Sequence, residues 1–273
     1  MLPTTAPPPS PPQDEKSEPR TRTLFQRLSD RLQQDINPDS RLLEVELLLL
    51  ALAIGIQDAI SFPDFHCFAS NQTGNTVLFA VGILHKTEQL EASSSFSIAT
   101  IAVSLSCFLV GVGLTGQIAN ACNMARRQGW LLFANLVSTA LVYMAGILQW
   151  HFLSHRVGAA SSSSSLLIAR LVLALLAFAS GSQVAVVRGL KITDITTAMA
   201  TAAYIDIFID PRLLAGLRQN RGRNRRVLFL AMLVAGSFVG AGVGTRTNFG
   251  VAVLVSAGVK TVVCFLLMCD HGS

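Results

Sequence analysis

Six apolar runs divide most of the chain, one from Leu42 to Phe62 and the others at roughly 97 to 119, 130 to 150, 164 to 187, 227 to 245 and 249 to 269. Each is close to the ~20 residues that take a helix across ~30 Å of hydrocarbon. None shows the ten-residue alternation of a membrane barrel strand, and backbone amides in lipid must bond within their own segment, so the runs predict helices. The first carries Glu44 and Glu46 at its mouth and Asp58 near its far end. Two further stretches, Thr73 to Lys86 and Ile192 to Asp210, are too short or too polar to span. The first reaches only ~21 Å at 1.5 Å per residue, which suits a re-entrant or half-depth helix.

The pattern also repeats. Gly55-Ile56-Gln57-Asp58-Ala59, near the end of one apolar run, returns as Gly181-Ser182-Gln183-Val184-Ala185 near the end of another. Each is followed by a Thr-rich polar segment. With six spans the first copy lies in a helix running one way and the second in a helix running the other, so the halves, about 42–152 and 164–269, form an inverted 3+3 repeat. Phe108 and Gly111-Val112-Gly113 answer Phe238 and Gly240-Ala241-Gly242 with a one-residue offset. Gly236 and Gly240 also make a small-xxx-small face, expected to serve packing within the chain before dimerisation. The fold class is therefore all-α, a polytopic membrane helix bundle of about six spans plus two short re-entrant or half-helices.

Basic residues orient it. With the amino end cytoplasmic, the inner segments hold six Lys/Arg in the tail, Arg126 and Arg127, and eight from Arg188 to Arg226, while the outer loops keep Lys86, Arg156 and Arg246. This bias favours six spans over eight and puts both termini inside. The cluster Arg218, Arg221, Arg223, Arg225 and Arg226 reads first as a topology determinant, with anionic lipid as its functional reading. Composition agrees with a lipid-embedded chain: 51% hydrophobic and 14% charged residues, and a mean hydropathy of +0.51. The pI near 9.2 reflects these topology charges and no nucleic-acid face. Cys67, Cys107, Cys122, Cys264 and Cys269 show no metal-ligand spacing, and no cofactor motif is present.

Residues 1–41 form a separate regime, Pro-rich and then of mixed charge, which reads as a disordered cytoplasmic tail without a cleaved leader. Within it Leu24, Leu28, Leu32 and Ile36 recur every four residues and predict a short amphipathic helix on the headgroups or on the protein. The membrane domain is 42–273.

At its polar motifs the chain resembles the YoaK family of uncharacterised multi-pass membrane proteins. The residues that carry the likeness are Gly55, Asp58, Ala59, Ser61 and Phe62, then Asn71, Thr73, Gly74 and Asn75, and in the second half Gly181, Gln183, Ala185, Arg188, Asp194, Thr196 and Thr197. The resemblance covers roughly residues 42–269 and implies a six-span integral membrane protein, with no established activity. The long tail and Pro63-Asp64-Phe65-His66 are departures from the family pattern.

The polar knots carry the candidate chemistry. Asn71, Thr73, Asn75 and Thr76 stand where the chain re-enters an apolar segment, so they can cap the free amides of a new helix. Gly74 allows close approach by a ligand or another helix. Thr193, Asp194, Thr196 and Thr197 repeat this chemistry in the second half, with Asp194 as a strong cap. Two half-helices dipping from opposite faces would aim their positive ends at one centre, suiting an anionic or zwitterionic solute. Gln57 and Gln183 are expected to line the same cavity. Lys260, about 16 Å deep, would cost roughly 2.5 to 3.5 kcal/mol unpaired, and Asp58 and Asp206 are its candidate partners. A Ser run at 161–165 reads as a flexible connector, and an Asn71-Gln72-Thr73 sequon as a cap.

Three function classes follow. The first is a secondary transporter or facilitator of a small polar or anionic solute, with the site between the knots. The second is a non-transporting membrane scaffold, lipid-binding or regulatory protein working through the tail and arginine loop. No H-E-x-x-H or G-x-S-x-G motif and no convincing catalytic constellation supports the third, an intramembrane enzyme. The bilayer is the one partner composition requires, and oligomeric state is not written in the chain.

Overall fold

A computed structural model describes residues 32–84, 97–154, 163–192, 194–195 and 197–269. Among them the helices, in chain order, are α1 (Arg41–Phe65), α2 (Gln72–Leu84), α3 (Ile98–Ala121), α4 (Gln128–Ser154), α5 (Ser163–Gly189), α6 (Ala200–Phe208), α7 (Arg221–Arg246) and α8 (Phe249–Cys269). Six of these are long and apolar enough to cross a membrane, and they fall on the six apolar runs. The protein is a multi-pass integral membrane helix bundle. With 13 and nine residues, α2 and α6 reach about 20 and 14 Å. Neither can span.

Helix ends follow capping chemistry. Ser40 opens α1, its Oγ accepting from Leu43 N at 3.5 Å, and Asn220 opens α7, its Oδ1 accepting from Arg223 N at 3.1 Å. At the far end of α1, His66 adopts a left-handed conformation, φ 51°, and turns the chain back toward the bundle.

The long helices pair as α3 on α5, α1 on α7, α4 on α8, α4 on α5, and α1 on α8. The short ones lean on one neighbour each, α2 on α3 and α6 on α7. Exchanging the first four helices for the last four turns α3–α5 into α1–α7, α4–α5 into α1–α8 and α2–α3 into α6–α7, and leaves α4–α8 as itself; the smaller α7–α8 contact has no such counterpart among the described residues. The two main crossings are set by glycine. A Cβ on Gly55 of α1 would strike the Leu233 carbonyl of α7, and one on Gly236 would strike Leu52. Likewise a Cβ on Gly181 of α5 would strike the Phe108 carbonyl of α3, and one on Gly111 would strike Phe178. Gly240 joins the first crossing, where an added Cβ would lie 2.6 Å from the Ile56 carbonyl oxygen. The small-xxx-small face thus packs within the chain.

These crossings correct the expected register. Gly111 answers Gly236 and not Gly240, while Gly113 and Gly242 face open space. The glycine triplets share a spelling, but only the glycine turned toward the partner helix marks the crossing.

One face of the bundle gathers the start of α1, the α3–α4 turn, the end of α8 and the start of α7. Gln128 Nε2 donates to the Leu267 carbonyl at 3.0 Å, and Arg221 and Arg225 reach Glu44 at 3.2 and 3.1 Å. This is the basic face. Here the structure departs from the expected tail helix: Asp35 forms an antiparallel bridge with Arg127, with Ile36 N donating to Arg126 O at 2.9 Å and Gln128 N to Gln34 O at 3.1 Å. Residues 34–36 satisfy their backbone on the α3–α4 turn, which competes with a helical turn at that place. Leu24 and Leu28 lie outside the described residues, as do 155–162, Thr193 and Thr196; of the serine run expected to be a flexible connector, Ser163, Ser164 and Ser165 instead open α5.

Gly55→Ala and Gly181→Ala should each destabilise the bundle by about 1–3 kcal/mol, the usual cost of forcing atoms into a packed contact. Gly242→Ala, which enters open space, should leave the thermal unfolding midpoint in detergent unchanged.

Candidate functional site

The connection between α1 and α2 must leave a helix at membrane depth, so each of its backbone groups needs a partner. Side chains of the first polar motif supply them. Asn75, fully buried, brackets Phe68: its Oδ1 accepts from Phe68 N and its Nδ2 donates to Phe68 O, both at 2.8 Å. Ser104 of α3 also donates to Phe68 O at 2.8 Å, which ties the knot to its neighbour helix. Gln72 donates to Ala69 O at 3.2 Å, and Asn71 Oδ1 accepts from Gly74 N at 3.2 Å as the expected cap of α2. Gly74 allows a close approach, but to the Phe68 ring, where a Cβ would stand 3.1 Å away.

Asp58 completes the knot. Its carboxylate accepts from Ser70 N at 2.8 Å and Ser70 Oγ at 2.5 Å. Cys67, in the same connection, is fully buried and is a free thiol. That cysteine is a buried filler.

The second knot is built differently. Asp194 does not cap α6; it pairs with Arg226 of α7 at 2.7 Å. The same guanidinium draws in Asp206 at 3.6 Å and Asp210 at 4.0 Å. Asp210 also accepts from Asn220 Nδ2 at 2.9 Å, and this bond, with the Arg212 amide and the nearby arginines, holds its carboxyl below the usual range. Arg223 is buried and donates to the carbonyls of Leu213 and Ala215, the latter at 2.7 Å. The arginine cluster is thus largely spent on folding the α6–α7 connection and joining it to α1. Thr197 holds φ 55°, an uncommon conformation for a β-branched residue, and its buried Oγ1 has no hydrogen-bond partner. Thr196 lies outside the described residues. Met199 occupies the N-cap position of α6 and makes no side-chain cap bond there.

The amino ends of α2 and α6 line one cleft of about 510 Å3, and the expected site residues Asp194 and Thr197 are not part of its lining. Asp58, Ser70, Asn71, Gln72, Thr73 and Gly74 line it from the amino end of α2, and Ala198, Met199, Ala200, Thr201 and Ala202 from the amino end of α6. Ile54, Phe108, Val184 and Leu233 give it apolar walls. Phe108 and Leu233 are the residues met by Gly181 and Gly55 at the two crossings, so the cleft sits beside both.

Gln57 and Gln183 are not among its lining. They lie in a buried seam between helices: Gln57 Nε2 donates to Ser256 Oγ at 2.8 Å and its Oε1 accepts from Ser180 Oγ at 3.2 Å. Gln183 Nε2 donates to Leu50 O at 3.2 Å, and its Oε1 accepts from Lys260 Nζ. The buried Lys260 therefore rests on an amide, not on Asp58, which serves Ser70, nor on Asp206, which serves Arg226. Two serines mirror each other here, with Ser138 Oγ donating to Ala179 O at 3.1 Å and Ser256 Oγ to Ala53 O at 3.0 Å. Sequence reasoning missed Ser70, Ser104, Ser180 and Ser256, because serines are common in apolar helices and no spacing sets these apart.

Asn75→Ala should strip the Phe68 amide of its partner, while Ser104 still serves the Phe68 carbonyl, and lower stability by about 1–3 kcal/mol. Asp58→Asn, which keeps an acceptor for Ser70, should cost clearly less; unfolding midpoints of the two variants check the order. For Asp210 a lowered folded pKa means stability that is present above the unfolded value and lost as pH falls through the folded one. Asp210→Asn should therefore flatten the fall in unfolding midpoint below about pH 4.

No curated protein and no solved structure matches the chain. A family model does: residues 47–266 match the one described as Protein of unknown function (DUF1275). That match runs from within α1 to within α8, and the chain belongs to this family of uncharacterised function.

Proposed function

We propose that this protein is a carrier or facilitator for a small polar solute, bound in the cleft between the amino ends of α2 and α6. The observation that carries this reading is the juxtaposition itself. Two helices too short to span, one from each half, end in one cavity. Helix amino ends present free N–H groups and a positive dipole end, which is how interrupted helices hold solutes at mid-bilayer.

The packing supports an inverted repeat. The pairings α1–α7, α1–α8 and α6–α7 map onto α3–α5, α4–α5 and α2–α3 on exchange of halves, and α4–α8 onto itself. Gly55 and Gly181 meet equivalent carbonyls in α7 and α3. With the basic face taken as cytoplasmic, both termini lie inside, α1 runs outward and α5 inward. A structure of two opposed halves around one site is suited to alternating access, because each half can adopt the other's conformation at little cost.

The lining refines the solute. Asn71 and Gln72 are committed to the backbone of the knot, which leaves Thr73, Thr201 and the remaining lone pairs of the Ser70-bound Asp58 carboxylate to face the cleft. Asp58 already places a negative charge at the α2 end. A zwitterion answers both ends, its cationic group toward Asp58 and its anionic group toward the amino end of α6.

Single cysteines at Thr73 and Thr201, in a chain freed of native cysteines, test this without knowledge of the solute. A membrane-impermeant thiol reagent is applied to right-side-out and to inverted vesicles. A carrier exposes each position to both sides in turn, so both vesicle types should label. Labelling of both positions from one side alone would contradict transport and favour a scaffold.

A further inference from the structure

A second cavity, of about 490 Å3, lies away from the cleft, near the face opposite the basic one. Its wall is formed by the last turns of α1 and α7, by Gln149 of α4, Ala169 of α5 and the start of α8. Three acceptors belong to this wall. Asp64, an exposed residue at the rim, contributes a carboxylate. Gln149 contributes an Oε1 that is buried and has no hydrogen-bond partner. Ala59 contributes a carbonyl that Pro63, four residues on and lacking an N–H, leaves without its helical donor.

The other polar groups are already engaged. Thr245 donates to the Ala241 carbonyl at 2.9 Å, and Asn248 Oδ1 accepts from Val251 N at 2.9 Å. Among the described residues no lysine, arginine or histidine lines the cavity, and His66 lies near Asp64 outside that lining. Arg170, next in sequence to Ala169, reaches Ser97 at 3.3 Å. The floor is apolar: Ile60 lies beside the edge-to-face pair Phe65 and Phe249, whose ring centres are 5.1 Å apart.

Packing does not demand this polarity. In the register of the two glycine crossings, Ile60 answers Val186 and Asp64 answers Leu190. Val186 and Leu190 are buried in the core at the basic face, packed with Leu43, Leu131 and Leu267. The fold fills one end of the bundle with aliphatic side chains and leaves the other hollow and acceptor-lined.

The geometry points to a binding site for a primary ammonium with an apolar body, held by Asp64 and Gln149 at its charged end and by Phe65, Phe249 and Ile60 along its length. A buried carbonyl oxygen without a donor is costly, and an ammonium supplies up to three N–H donors to such a set. The site is separate from the cleft and does not rest on the transport reading.

The full chain in lipid nanodiscs, titrated with 2-phenylethylammonium by calorimetry, tests the site. Saturable binding is expected, with the isosteric neutral 2-phenylethanol at least tenfold weaker. Asp64→Asn should weaken the amine at least tenfold and Gln149→Leu severalfold, while Asp64→Glu restores binding in part and Asp58→Asn leaves it unchanged. Equal binding of the alcohol, an unaltered Asp64→Asn variant or absence of binding would overturn the proposal. So would loss of the amine in Asp58→Asn with Asp64→Asn unaffected, which would place it in the cleft.

Discussion

A polypeptide that leaves its helix inside hydrocarbon must bring its own hydrogen-bond partners, because neither water nor lipid tails supply them. The segment between α1 and α2 shows how this chain does so. Phe68 is held at both its amide and its carbonyl by Asn75, the Ser70 amide by Asp58, the Gly74 amide by Asn71, and the Ala69 carbonyl by Gln72. The same constraint explains why so few polar side chains remain for a ligand. Most of a motif that looks like a binding site is consumed in making a re-entrant backbone possible, and function falls to the residues left over.

The halves solve this problem with different chemistry. The first knot uses neutral amides and hydroxyls around one carboxylate. The second uses an arginine hub, with Arg226 drawing Asp194, Asp206 and Asp210 to one place. The difference follows from position. The second knot stands at the basic face, where Arg221 and Arg225 join it to Asp39 and Glu44 and the ion pairs remain partly wet. Deeper in the bundle, the seam of Gln57, Ser180, Ser256 and Gln183 links α1, α5 and α8, and Lys260 is attached to it through Gln183. Isolated ion pairs are costly to bury, and a satisfied amide network is the cheaper way to hold polar groups there.

Periodicity and length made the six spans and the two short helices legible in the sequence, because both are set by the thickness of the bilayer. Capping chemistry made Asn71 legible, since an Asn ahead of an apolar segment has one obvious use. Facing was not legible. Gln57 and Asp58 are adjacent, yet one points into the seam and the other into the cleft, a difference of rotation about the helix axis that equally apolar neighbours do not reveal. The partners of Lys260 and Asp194 were misread for a related reason. Depth was estimated from sequence, but which charges share a depth and a side depends on helix pairing. The mismatched glycine triplets follow the same rule: spelling was visible, orientation was not.

The central claim, that the amino ends of α2 and α6 meet at one cleft, can be measured by cross-linking. Cysteines are placed at Asn71 and Ala202 in a cysteine-free chain and treated in membranes with a short bis-maleimide. The account predicts an efficient intramolecular cross-link between these positions, and none between Asn71 and a cysteine at Leu214, which is exposed in the loop after α6. Equal yields for both pairs, or no cross-link between the two helix ends, would contradict it.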